Sequence, residues 1–266
     1  MRIETPRQRR RRRAVEAPFP EEWRALLRAN MAHWRCLEEN DRDRLEHLIK
    51  LFLFEKRFEW ANGLDESVEI KVLVAASACL LILGLENAYY RDVASIIMYP
   101  SGVVVKGRRG APETSGLETD RIVPILGEAA LHGPMVIAWD SAKRSAAHPD
   151  TGHNVVYHEF AHKIDMADGA ADGIPPMDEA LRGNWEQICT REYRALRDGT
   201  SGHPFLDAYA SVNPAEFFAV ATEFFFDRPI DMAADKPELY QVLREFYRQD
   251  PAERERRFRR HGPIRG

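Results

Sequence analysis

The chain has 266 residues, 44% hydrophobic and 30% charged, the balance of a soluble globular protein able to bury a sizeable core. Its net charge of −4 hides an asymmetry: residues 1–13 hold seven Arg against Glu4, a local +6, so the other 253 residues carry −10. An acidic body argues against a nucleic-acid-binding domain, and Cys36, Cys79 and Cys189, widely spaced with no C-x-x-C, argue against a disulfide framework or a cysteine-rich metal site. No apolar run follows the Arg stretch, so the expected location is cytoplasmic.

Residues 1–17 read as a disordered Arg-rich tail, dense in like charge and flanked by Pro6 and Pro18; weak contact with nucleic acid through this tail is the only such contact expected. Residues 18–266 read as one domain. From Pro20 to Trp60 apolar residues recur at helical spacings, and Asn62-Gly63 ends the pattern. A second helical stretch runs from about Ser67 to Tyr90. Its Val72 to Leu85 is apolar throughout but shorter than the roughly 20 residues that cross a bilayer, so it predicts a buried helix and no membrane span. Ile96 to Val105 reads as strand, turn and strand, residues 106–120 as a loop, and Met135 to Trp139 as a short apolar strand. The GRRG at Gly107 to Gly110 matches no phosphate-binding pattern. Residues 140–152 read as loop, followed by a helix from about Asn154 to Met166. Further helices are expected over Glu179 to Arg197, Pro214 to Phe226, Pro237 to Tyr247 and Ala252 to Arg260, with loop from Asp198 to Asn213. The sum is an α+β fold, mostly helical with a small sheet.

The chemistry lies in H-E-F-A-H from His158 to His162. Two histidines four apart on a helix are rotated by only about 40° and stacked one turn above the other, so both imidazoles reach one zinc at roughly 2.0–2.1 Å. Glu159 lies at the edge of that face, placed to take a proton from a water at the metal. Phe160, Ala161 and the preceding Val155-Val156-Tyr157 mark the helix as buried, and burying two His and a Glu is costly unless something pairs them.

A catalytic zinc takes a third protein ligand. His203 in an SGHPF loop and Asp165, three residues past His162, are candidates. A stronger one lies in NPAEFFAVATEFFF, where Asn213 reads as an N-cap, Pro214 as the first helical residue and Glu216 as the third. Glu216 and Glu223, seven apart on an aromatic helix, share one face, and spacing does not choose between them.

The stretches GPMVIAWD (Gly133 to Asp140), GHNVVYHEFAHKID (Gly152 to Asp165) and DAYASVNPAEFFAVATEFFF (Asp207 to Phe226), with the YPSG turn and the closing FYRQDP, resemble the Mlc titration factor A family of bacterial zinc peptidases over about Glu22 to Pro251. The resemblance implies a zincin-like fold of the gluzincin type, with a core similar to that of anthrax lethal factor and an edge strand lining the cleft. It implies one zinc per chain on His158, His162 and Glu216, with Glu159 as base. Tyr209 is then implied near the metal as an oxyanion donor, and Asp165 and Glu223 behind the ligands. Aminopeptidase-like hydrolysis is the implied activity, with a peptide as substrate and a repressor of sugar-uptake genes as a partner. The alternative is a regulatory protein that titrates such a repressor and keeps a structural zinc.

Overall fold

The computed structural model describes residues 4–85, 89–101, 133–201 and 204–262. Five helices and two strands come before the gap at 102–132. They are α1 (Pro6–Glu16), α2 (Glu21–Asn30), α3 (Ala32–Cys36), α4 (Glu39–Glu55), β1 (Arg57–Trp60), α5 (Val68–Leu81) and β2 (Ser95–Tyr99). After it come β3 (Met135–Ala138), α6 (Trp139–Ala147), α7 (Val155–Asp165), α8 (Glu179–Arg197), α9 (Pro214–Asp227), α10 (Pro229–Asp235), α11 (Pro237–Tyr247) and α12 (Pro251–His261). The fold is α+β, mostly helical with a small sheet, as the sequence predicts.

The described strands form one parallel sheet in the order β1-β2-β3, with Ile96 opposite both Phe58 and Met135. Parallel pairing of β1 and β2 needs a crossover, and α5 supplies it. Both edges of β2 are therefore taken. The second half of the expected strand-turn-strand lies outside the described residues, as does the GRRG loop. The apolar α5 is the expected buried helix: Val72 to Leu81 are all buried, and among the described residues no helix is long and apolar enough to cross a membrane. Cys36, Cys79 and Cys189 are free thiols.

Three expectations need correction, and one helix is added. Pro6–Glu16, expected to be disordered, is helical. Thr5 and Gln8 form a reciprocal capping box, Arg11 pairs with Glu55 at 2.9 Å, and Lys50 Nζ donates to the carbonyl of Ala17 at 2.6 Å. Arginine is a good helix former, and Glu4 and Glu16 partly offset the charge run through Arg12. The helical stretch from Pro20 to Trp60 is broken at Met31 and Leu37 and ends in a strand. In Arg57–Trp60 the alternation of Phe58 and Trp60 with charged residues follows the period of two. Residues 140–152, expected as loop, are largely α6, which buries Ala142 and Ser145 three apart. Finally, Pro229–Asp235 adds a helix inside a segment left unassigned.

The core runs continuously from Phe19 to Ala252. At its centre the aromatic face of α9 packs on α7, and Phe218 meets Trp185, Phe246 and Tyr247. That packing fixes the two helices that carry the candidate ligands.

Candidate metal centre

Each helix of the centre starts on an asparagine cap. Asn154 Oδ1 accepts from the Tyr157 N–H at 3.2 Å, and Asn213 Oδ1 accepts from the Glu216 N–H at 2.9 Å, with Pro214 at the first helical position. These caps set where α7 and α9 begin, and so which turn of each helix faces the other. Glu216 sits where a capping-box acid would, yet its carboxylate is turned to the histidines.

The geometry is compact. Glu216 Oε2 lies 3.0 Å from His158 Nε2 and 3.4 Å from His162 Nε2, and the two Nε2 atoms are 3.2 Å apart. All three residues are buried, at 5%, 3% and 1% exposure for His158, His162 and Glu216. Among the described residues they are the group able to hold a metal ion, one ligand atom from each. Glu223, two turns further along α9, accepts from His158 Nδ1 at 2.8 Å. With the Nδ1 proton held there, Nε2 presents its lone pair to the centre.

Glu216 Oε2 is buried without a hydrogen-bond donor although two imidazole nitrogens face it. Three acceptor atoms directed at one point leave an unmet need for positive charge, the condition a cation satisfies. The titration behaviour of the metal-free cluster agrees. Burial pulls the His158 imidazole down, and the neighbouring carboxylates of Glu216 and Glu223 more than reverse it, to about 10. Burial pushes the Glu216 carboxyl up, but His158 and His162 hold it well below the usual carboxylate range. The residues present therefore fit a divalent metal.

Around this triad the other expected residues are placed unevenly. Glu159 is half-buried, and burial raises its pKa against the pull of the two histidines. Tyr209 lies in a 3-10 turn, Ala208–Ser211, capped by Asp207, with its ring centroid 6.0 Å from that of His158. Asp165 does not reach either histidine by hydrogen bond; its Oδ2 accepts from the Gly173 N–H at 3.0 Å. Its distance from the ligands' task follows from the loop at 166–173, whose return path no helical spacing encodes. His203 lies outside the described residues. Asn154 is the site residue that sequence reasoning used only as a helix start: its own N–H donates to Glu223 Oε2 at 2.5 Å.

Comparison with other proteins agrees with this geometry. A family model described as glucose-regulated metallo-peptidase M90 matches residues 6–248, so the pattern includes the Arg-rich helix that the sequence placed outside it. An uncharacterised protein of Synechocystis is 32% identical over 245 residues, covering 91% of this chain and 89% of its own. Mlc titration factor A of Salmonella gallinarum is 32% identical over 224 residues, covering 82% and 83%. The Salmonella arizonae protein of that name is 31% identical, covering 82% and 87%.

Proposed function

The chain belongs to the family of glucose-regulated metallopeptidases M90, and from that premise we propose that it hydrolyses peptide bonds, as an aminopeptidase does, with one zinc ion per chain on His158, His162 and Glu216. The observation that carries this reading is the convergence of three buried acceptor atoms, with Glu216 Oε2 left without a donor. A zinc ion held by these three residues would supply Lewis acidity, lowering the pKa of water to about 7 and polarising a carbonyl. Glu159, beside His158 on the helix and outside the ligand set, takes the proton from the attacking water and returns it to the leaving amine. Its raised pKa suits a carboxyl that must both accept and give a proton. Tyr209 donates its phenol O–H to the developing oxyanion. β3, an end strand among the described residues, offers its backbone to an extended peptide. Asp165 is engaged by Gly173, which supports a three-ligand catalytic site over a closed structural one. A reducing compartment, the cytoplasm, suits the three free thiols.

The name of the Salmonella relatives, Mlc titration factor A, favours a second reading: a regulatory protein that titrates a transcriptional repressor and keeps its zinc as structure. Glu159→Gln, assayed on a panel of aminoacyl chromogenic substrates, separates the two. The peptidase reading predicts full zinc content and a kcat lower by about a hundredfold or more. Turnover equal to wild type contradicts the role of Glu159, and a zinc-loaded wild type that cleaves nothing favours the regulatory reading.

A further inference from the structure

Glu223 ties two places on α7 together. Its Oε1 accepts from His158 Nδ1 at 2.8 Å, and its Oε2 accepts from the Asn154 N–H at 2.5 Å. Glu223 and Asn154 are both buried. Asn154 is the N-cap of α7, and its side-chain oxygen accepts from the Tyr157 N–H at 3.2 Å.

The cap of α1 is closed from within: Thr5 Oγ1 accepts from the Gln8 N–H, and the Gln8 side chain accepts from the Thr5 N–H. In α7 the third helical residue is Tyr157, which has no carboxylate or amide to reach back to its cap. The Asn154 N–H is met instead by Glu223, 69 residues further along the chain. A cap that only started α7 could leave that N–H to a local side chain or to water. Here it meets the carboxylate that also holds His158, and the positive end of the α7 dipole favours the negative charge placed there. The bond to Tyr157 keeps residue 154 in its extended conformation, φ −136° and ψ 98°, and so keeps its N–H aimed at Oε2. With one oxygen fixed in this way, the other is held against Nδ1, and His158 is turned so that Nε2 faces Glu216 and His162.

We propose that Asn154 is a positioning residue for the ligand His158, acting through Glu223, so that the cap of α7 also sets the metal site. The proposal rests on the metal-centre reading above. Outer partners of metal-bound histidines typically change metal affinity by about 10- to 100-fold. Glu223, in direct contact, belongs at the upper end of that range and Asn154 at the lower.

The test is a double-mutant cycle on the zinc dissociation constant, by competition with a chromophoric chelator, well below the lowest metal-free Tm of the set. Asn154→Gly removes the side-chain cap with little loss of helix stability and frees the residue to leave its extended conformation. It should bind zinc roughly tenfold more weakly. Asn154→Ser, whose hydroxyl caps about as well, should recover most of that loss. In a Glu223→Ala background, Asn154→Gly should weaken binding no further. Wild-type affinity in Asn154→Gly overturns the proposal, as do losses that multiply in the double variant or a loss that Ser fails to restore. Amide hydrogen exchange on the metal-free wild type needs no variant: an Asn154 N–H that exchanges as an unprotected amide also overturns it. A wild type that binds no zinc overturns the metal centre itself, and the inference with it.

Discussion

His158 is held from both sides: Nε2 faces Glu216 and His162, and Nδ1 is taken by Glu223. Such a histidine can neither flip its ring nor choose its tautomer freely, which preorganises the centre before any metal arrives. Tyr209 stands beside it and carries a phenol that the ligand set does not use. Tyr209→Phe keeps the ring against His158 and removes the phenol O–H that the proposed mechanism assigns to the oxyanion. Such a loss costs about 10²–10³ in kcat, with zinc content unchanged. A variant as fast as wild type would remove Tyr209 from the chemistry. The two histidines and Glu159 are legible in the sequence because a spacing of four fixes their mutual geometry on any helix. The choice of Glu216 over Glu223 is not, since both share one face about 10 Å apart along the axis. Only the crossing of α7 and α9 decides which one meets the Nε2 atoms. The same holds for Asp165, whose partner is a backbone N–H eight residues on.

At the scale of elements, helices with strong period and clear caps are legible almost to the residue. Glu179–Arg197 and Pro237–Tyr247 fall where the pattern puts them, and Asn213-Pro214 announces α9. Short elements that depend on neighbours are not: β1 is four residues long and exists through its pairing with β2, and α1 is held by Glu55 and Lys50 of another helix. The segment between α7 and α8 adds a constraint of its own. Gly173 has φ +77°, and a Cβ there would lie 2.4 Å from the Pro214 carbonyl oxygen. Its own carbonyl accepts from Trp185 Nε1 at 3.1 Å. Gly173→Ala must therefore strain its backbone and push on the first turn of α9, two residues from Glu216. Thermal unfolding should report a loss of about 1–3 kcal/mol, with weaker zinc binding alongside. A variant with wild-type Tm and affinity would mean that this contact does not set the position of α9.

The whole molecule carries buried acid in a continuous apolar core, which links its stability to pH. Burial raises Asp165 from 3.8 to about 7, against the hydrogen bond that its Oδ2 accepts from the Gly173 N–H. A carboxyl whose folded pKa lies above its unfolded value favours the folded state fully only while protonated. That contribution is whole below pH about 4 and is lost as pH rises through about 7. Asp165→Asn keeps an oxygen for the Gly173 N–H and removes the titration. In the metal-free protein its stability should fall less than that of wild type between these pH values. Parallel denaturation curves at every pH would contradict the burial argument. The same enclosed setting makes the triad depend on a cation, because Glu216 Oε2 has no donor and both histidines turn their Nε2 atoms to it. Zinc quantification on purified wild type and Glu216→Ala tests this most directly. The account predicts one zinc per wild-type chain and a large loss of zinc in the variant at equal folded content. Equal zinc in both, or none in either, would contradict it.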